Sequence, residues 1–273
     1  MEAVQQAEVI VSSGPAARRT LLGINNRLWR LALVTAIAQF SFSVWVWQFA
    51  IFLESVIDLW RIGLTFSAGT VATLVGYPAA GFLADLLGRK RSLTVSFIPQ
   101  LLGLLLLYLF PSWPVVLLAY GLQSFGWSFV LVISRAMPAD EISVLSGSES
   151  SRTLTMVLMP SFVVDGLSPL VAVVLLSAGL QMSSLLLAGA ASFLVSLILT
   201  LTLVEETMKP DMRGRTAANL RTLLSALGTS FWKFTFAMIG YYAAWGMAVP
   251  YVGLLSVHEW GATIDVYGFS ATA

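Results

Sequence analysis

Apolar residues in this chain come in long runs separated by short polar breaks, and those runs set the architecture. A helix needs about 20 apolar residues to cross the hydrocarbon core of a bilayer. The pattern predicts spans from Leu28 to Leu53, Gly63 to Leu86, Ser92 to Phe110, Trp113 to Met137, Thr153 to Ala178, Ser183 to Val204 and Ser230 to Val257. Ile264 to Ala273 reads as the first turns of an eighth span. Residues 1–27 form a polar tail, 28–204 a six-helix transmembrane bundle, 205–229 a polar central loop, and 230–273 a further membrane segment. Within the central loop Leu220, Leu223, Leu224 and Leu227 share one helical face beside Arg221, the pattern of an amphipathic helix lying on a membrane surface. The breaks Phe110-Pro111-Ser112-Trp113-Pro114 and Gly179-Leu180-Gln181-Met182 leave almost no loop. They predict that the third and fourth spans, and the fifth and sixth, are antiparallel neighbours. The expected fold class is all-α and polytopic.

Charge placement gives this layout an orientation. Arg18, Arg19, Arg27 and Arg30 precede or open the first span, and Arg89, Lys90 and Arg91 join the second to the third. Arg135 and Arg152 flank the fourth-to-fifth connection, and Lys209, Arg213, Arg215, Arg221 and Lys233 follow the sixth span. All fall on one side if the helices alternate, leaving Arg61, with Glu54 and Asp58, on the other. The positive-inside rule then puts the N-terminus in the cytoplasm, with the plasma membrane as the expected location.

Composition narrows the chemistry. Of 273 residues 58% are hydrophobic and 11% charged, against about 25% charged in soluble domains. A net charge of +1 argues against a nucleic-acid partner. With no cysteine there is no disulfide, thiolate or iron–sulfur chemistry, and the single histidine, His258, has no second imidazole with which to hold a metal. No cofactor is expected. The N-terminus lacks the compact apolar core of a cleaved signal peptide.

One acidic residue lies well inside an apolar run. Asp165, as an ionised carboxylate at mid-bilayer, would cost about 2.5–3.5 kcal/mol on insertion scales, so it must be neutral, hydrated or paired. That suits a group that takes up and releases a proton; the alternative is a structural hydrogen-bonding or capping role near Pro169. Helical spacing also places Ser41, Trp45 and Gln48 on one face of the first span. It does the same with Tyr120, Gln123 and Trp127 on the fourth, and with Tyr242, Trp245 and Tyr241 on the seventh. Such aromatic and amide faces suit a pocket for an amphipathic or neutral organic solute, or equally interhelical hydrogen bonds and interfacial aromatics.

The connection Gly81-Phe82-Leu83-Ala84-Asp85-Leu86-Leu87-Gly88-Arg89-Lys90-Arg91 combines several physical signals. Gly81 admits a close backbone neighbour, Gly88 tolerates the positive φ of a tight reversal, and Asp85 and Arg89 stand one turn apart. A G-x-x-x-D-x-x-G-R-K pattern at this place resembles the loop between the second and third helices of major facilitator superfamily transporters. Arg135-Ala136-Met137-Pro138-Ala139-Asp140-Glu141, Glu205-Glu206-Thr207 and Gly246-Met247-Ala248-Val249-Pro250-Tyr251 resemble the end of helix 4, the end of helix 6 and the middle of helix 7 of that superfamily. A repeat agrees with it. Trp29-Arg30 matches Trp232-Lys233, and Phe66-Ser67-Ala68 matches Phe269-Ser270-Ala271, both at an offset of 203 residues, as in a fold built from two parallel six-helix halves.

The resemblance implies that helices 1, 4 and 7 line a central cavity. It also implies that Gly81, Asp85, Gly88, Arg89 and Lys90 form a gating latch with Asp140 or Glu141. On this reading the chain is an N-terminal half plus the start of a second, with helices supplied by more chain or by another polypeptide needed to complete the cavity. The expected function is secondary active transport of a small organic solute by alternating access, proton-coupled through Asp165, with drug or metabolite efflux as the finer expectation. The helix 4 Arg of drug–proton antiporters is replaced here by Tyr120, with Ser124 at an expected Gly, and their helix 5 motif survives only as Ser168-Pro169. A truncated, transporter-derived membrane interaction protein is the rival reading; an integral membrane enzyme has no nucleophile or metal constellation to support it.

Overall fold

The computed structural model describes residues 20–21, 24–142, 147–208 and 228–263. The amphipathic stretch 220–227 and the eighth-span residues 264–273 therefore lie outside the described residues, as does the second member of the Phe-Ser-Ala repeat. A two-residue antiparallel ladder, β1 (Thr20–Leu21) with β2 (Ile24–Asn25), leads into the first helix. The helices are α1 (Asn26–Val46), α2 (Phe49–Glu54), α3 (Leu59–Leu87), α4 (Arg89–Leu109), α5 (Val115–Ile142), α6 (Gly147–Ser177), α7 (Met182–Leu203) and α8 (Thr229–His258). Six of them, α1 and α3 to α7, are long and apolar enough to cross a membrane. The chain is a multi-pass membrane protein.

The predicted first span is a broken rod. It divides at Trp47 and Gln48 into α1 and α2, where the sequence pattern predicts one helix to Leu53. Asn25 caps α1, its Oδ1 accepting from the Arg27 amide at 3.2 Å. Prolines inside the helices (Pro78, Pro99, Pro138, Pro160 and Pro169) are tolerated because helices packed around them support the interrupted backbone.

Packing sorts the bundle into two groups. α5 lies between α3 and α4, α1 lies between α6 and α7, and α4 packs on α7 to join the groups. The third and fourth spans are thus neighbours as the short loop predicts. The fifth and sixth are not, because both dock on α1 instead of on each other. A tight turn fixes where a helix starts but not its tilt, and α1 fills the wedge. Bulky groups such as Trp45, Phe49, Phe97 and Phe193 fill the core, and a smaller cluster of Ile24, Leu28, Ala32, Ile142 and Val157 packs the end of the predicted tail against the bundle.

Glycine sets how closely the helices approach. A Cβ on Gly103 would lie 2.6 Å from the Ala119 carbonyl oxygen, and one on Gly126 would lie 2.7 Å from that of Ser96, so α4 and α5 meet nearly backbone to backbone. Gly189 of α7 stands against the Ser41 carbonyl of α1 in the same way, at 2.7 Å.

Candidate functional site

The reversal between α3 and α4 is tight because Gly88 takes φ 97° and ψ 159°, a region essentially closed to residues with a side chain. Gly81 behaves otherwise. A Cβ there would meet nothing within 4 Å among the described residues, so none of them makes the close approach expected of it. Beyond the turn, Arg89 Nη1 pairs with Asp85 Oδ1 at 2.9 Å and its Nε with Asp140 Oδ2 at 3.3 Å. Thr207 donates to the same Asp140 oxygen at 3.0 Å.

The start of α4 is capped from a distance. Glu206 accepts from the Arg89 amide at 2.9 Å and the Lys90 amide at 3.3 Å, placing a carboxylate on the positive end of the helix dipole. Lys90 reaches across to the Leu201 carbonyl at 2.9 Å. Glu205 pairs with Arg27 and, at 3.4 Å, with Arg30, while Glu141 lies 3.6 Å from Arg27. Four chain segments are thereby tied at one end of the bundle, here termed the elbow end.

Arg89 and both its partners are mostly shielded, at 16%, 18% and 30% side-chain exposure, so the pairing is stronger than a surface ion pair. Arg89→Ala is expected to lower stability by about 1.5–3 kcal/mol, the scale of a hydrogen bond to a charged group. Arg89→Lys should recover only part, since one ammonium cannot reproduce the guanidinium fork between two carboxylates. Thermal unfolding in detergent reads both.

A cavity of about 470 Å³ opens among α1, α3, α5 and α6. α1 contributes Thr35, Gln39, Phe42 and Val46 at helical spacing, with Trp47 and Ala50 after the break; α3 contributes Phe66 and Thr70. α5 adds Tyr120, Trp127 and Ser134 among others, ending at Arg135, and α6 adds Ser161, Phe162 and Asp165. No described residue of α4 or α7 lines it. Phe42 and Trp127 stack at 4.5 Å with an interplanar angle of 4°. Asp165 faces this space with Oδ1 accepting from Gln39 Nε2 at 3.0 Å and from Ser43 Oγ.

The structure brings together Tyr120, Trp127 and Asp165 of the expected cavity residues. Ser41, Trp45, Gln48 and Gln123 are corrected: each is at most 1% exposed and none lines the cavity. Ser41 and Trp45 turn toward α7, where Gly189 receives them, Gln123 lies against Gly103 of α4, and Gln48 sits at the break. A helical period defines a face but not which neighbour that face meets, and the chosen face of α1 looks away from the cavity. Tyr242 and Trp245 stand on α8, but their side chains lie outside the described residues. Gln39, Phe42 and Ser43 were not singled out in the sequence. A polar Gln39 at the depth of Asp165 is the signal that points to them.

At the opposite end, α8 touches the bundle through Tyr251, whose hydroxyl lies against Gly63, and through His258, whose Nε2 stands 2.8 and 2.9 Å from the two Glu54 carboxylate oxygens. Toward the elbow end α8 exposes Phe231, Phe234, Phe236 and Ile239. At the end that carries Glu54, away from the elbow, Arg61 is held by Asp58 at 3.4 Å and lies over the rings of Trp60 and Trp113.

No family model matches the chain, and no curated protein matches it in sequence. Solved structures do resemble it. The human organic anion transporter MFSD10 (TETRAN) aligns at 16% identity with a TM-score of 0.57, covering 69% of this chain and 49% of its own. The nucleoside transporter NupG aligns at 14% identity and TM-score 0.70, covering 90% of this chain and 63% of its own. The peptide transporter POT aligns at 14% identity and TM-score 0.60, covering 95% and 51%. The chain therefore has the major facilitator superfamily fold. It spans about half to under two-thirds of the length of these structures.

Proposed function

We propose that the chain is the first half, with the opening of the second, of a secondary active transporter that moves a small organic solute by alternating access. The observation that carries this reading is the cavity itself: four helices converge on a space of about 470 Å³ that holds aromatic rings, hydroxyls and one carboxylate at mid-span depth. A pocket of this size accommodates a drug-sized molecule. The structural neighbours, named as carriers of an organic anion, a nucleoside and a peptide, support solute transport as the use of the fold. On this reading the elbow end faces the cytoplasm, and the Asp85–Arg89–Asp140 cluster is a latch that holds in one transport state and loosens in the other.

Asp165 is the proposed proton site. Gln39 and Ser43 orient its carboxylate without neutralising it, leaving the charge for a proton or a solute to answer. The full-length protein in vesicles carrying an imposed pH gradient tests this, with a panel of organic anions, nucleosides, dipeptides and amines. At least one solute should move in response to the gradient, and Asp165→Asn should reduce that response to background while leaving downhill exchange measurable. Movement that stays fully pH-driven in the variant would make Asp165 structural. A panel in which nothing moves would contradict transport.

A further inference from the structure

The cavity's polar groups are few enough to assign a charge preference to its ligand. Among the lining residues Asp165 is the only acid and Arg135 the only cation, and they stand at different depths. Arg135 is eight residues beyond Trp127 on α5, about 12 Å nearer the elbow end at 1.5 Å per residue. Its Nη1 is already donated to the Leu131 carbonyl at 2.7 Å. Asp165 is at the level of the rings, because Gln39, which holds it at 3.0 Å, is one turn from Phe42 in the stacked pair.

The carboxylate has one oxygen committed and one open. Oδ1 accepts from both Gln39 and Ser43, and Oδ2 takes no hydrogen bond among the described residues. Both donors are neutral, so they aim the carboxylate without supplying a countercharge. Pro169, four residues on, has no N–H to offer the Asp165 carbonyl, which adds acceptor capacity at the same turn. Nearby, Phe66 and Tyr120 meet at 5.1 Å with an interplanar angle of 66°. Ring faces carry negative potential and attract cations, so rings and carboxylate select the same sign of charge.

We infer that the cavity takes a protonated amine carrying an aromatic body, with its N–H groups on Asp165 Oδ2 and its ring against Phe42, Trp127, Phe66 and Tyr120. This names a substrate class for the proposed transporter and rests on that reading for its meaning, but binding can be measured without flux.

Three probes share one ring and differ in charge: naphthylethylamine, naphthylethanol and naphthylacetate. Equilibrium dialysis against purified full-length protein should show the amine binding about ten- to a hundredfold tighter than the alcohol, the range for a hydrogen bond to a charged group, and the acetate weakest. Asp165→Asn should bring the amine to the level of the alcohol, and an unchanged thermal midpoint in detergent shows that the variant is folded. Asp165→Glu should keep the preference for the amine. Tightest binding by the acetate would give the site to Arg135 and overturn the inference. So would equal binding of amine and alcohol, an amine preference that survives Asp165→Asn, or no binding of any probe. Charge-selective binding with no solute flux in vesicles would instead contradict transport and leave the site standing. Flux without charge selectivity would do the reverse.

Discussion

Gly103→Ala and Gly126→Ala are each expected to destabilise the bundle, although alanine is the better helix former. In an open helix the exchange gains up to about 1 kcal/mol of propensity. Here the added carbon would sit 2.6 Å from the Ala119 carbonyl oxygen in one case. In the other it would sit 2.5 Å from Gln100 Cγ and 2.7 Å from the Ser96 carbonyl oxygen. A side-chain end can swing aside, but a carbonyl inside a helix moves only with its helix, so α4 and α5 must separate. Overpacking of this kind costs about 1–3 kcal/mol, enough to reverse the propensity gain. Gly121 on α5 supplies the control, since a Cβ there meets nothing within 4 Å. Gly121→Ala should hold or raise the thermal midpoint in detergent while the other two lower it. The double variant should not be additive, because both contacts belong to one interface.

Much of the architecture was legible in the order of apolar runs, since a bilayer leaves a chain few alternatives to spanning helices. The elbow was legible too, because Gly88 and the charges around it each answer a local demand. Asp165 stood out for the cost of placing a carboxylate among apolar residues. What the sequence could not convey was rotation about the helix axes. Ser41, Trp45 and Gln48 share a face as their spacing requires, but that face meets α7 and the core, and the adjoining stripe of Thr35, Gln39, Phe42 and Val46 meets the cavity. Nor does the pattern reveal that α1 separates α6 from α7. The Glu206 cap on α4 joins residues more than a hundred positions apart, and such a contact follows from the assembled bundle. The break at Gln48 is equally silent in composition.

The second large effect concerns access to the cavity. α8 meets the bundle at the end carrying Glu54 and His258 and exposes Phe231, Phe234, Phe236 and Ile239 toward the elbow, so among the described residues α8 is bridged to the bundle at the end away from the elbow. If the protein works by alternating access, this contact is the closure that must open in the other half of the cycle. Replacing Glu54 by Gln together with His258 by Ala removes the bridge and should shift the population toward the state open at that end.

A single cysteine reads the shift. The chain has no native cysteine, and Thr70 lines the cavity from α3 without a part in the latch. Thr70→Cys can be probed with a membrane-impermeant maleimide in right-side-out and inside-out vesicles. Modification should be faster from the elbow side in the otherwise unaltered protein, and loss of the Glu54–His258 bridge should raise modification from the opposite side several-fold. Labelling that reaches residue 70 from the opposite side alone, or that never reaches it from that side even without the bridge, would contradict a cavity served alternately from the two faces of the membrane.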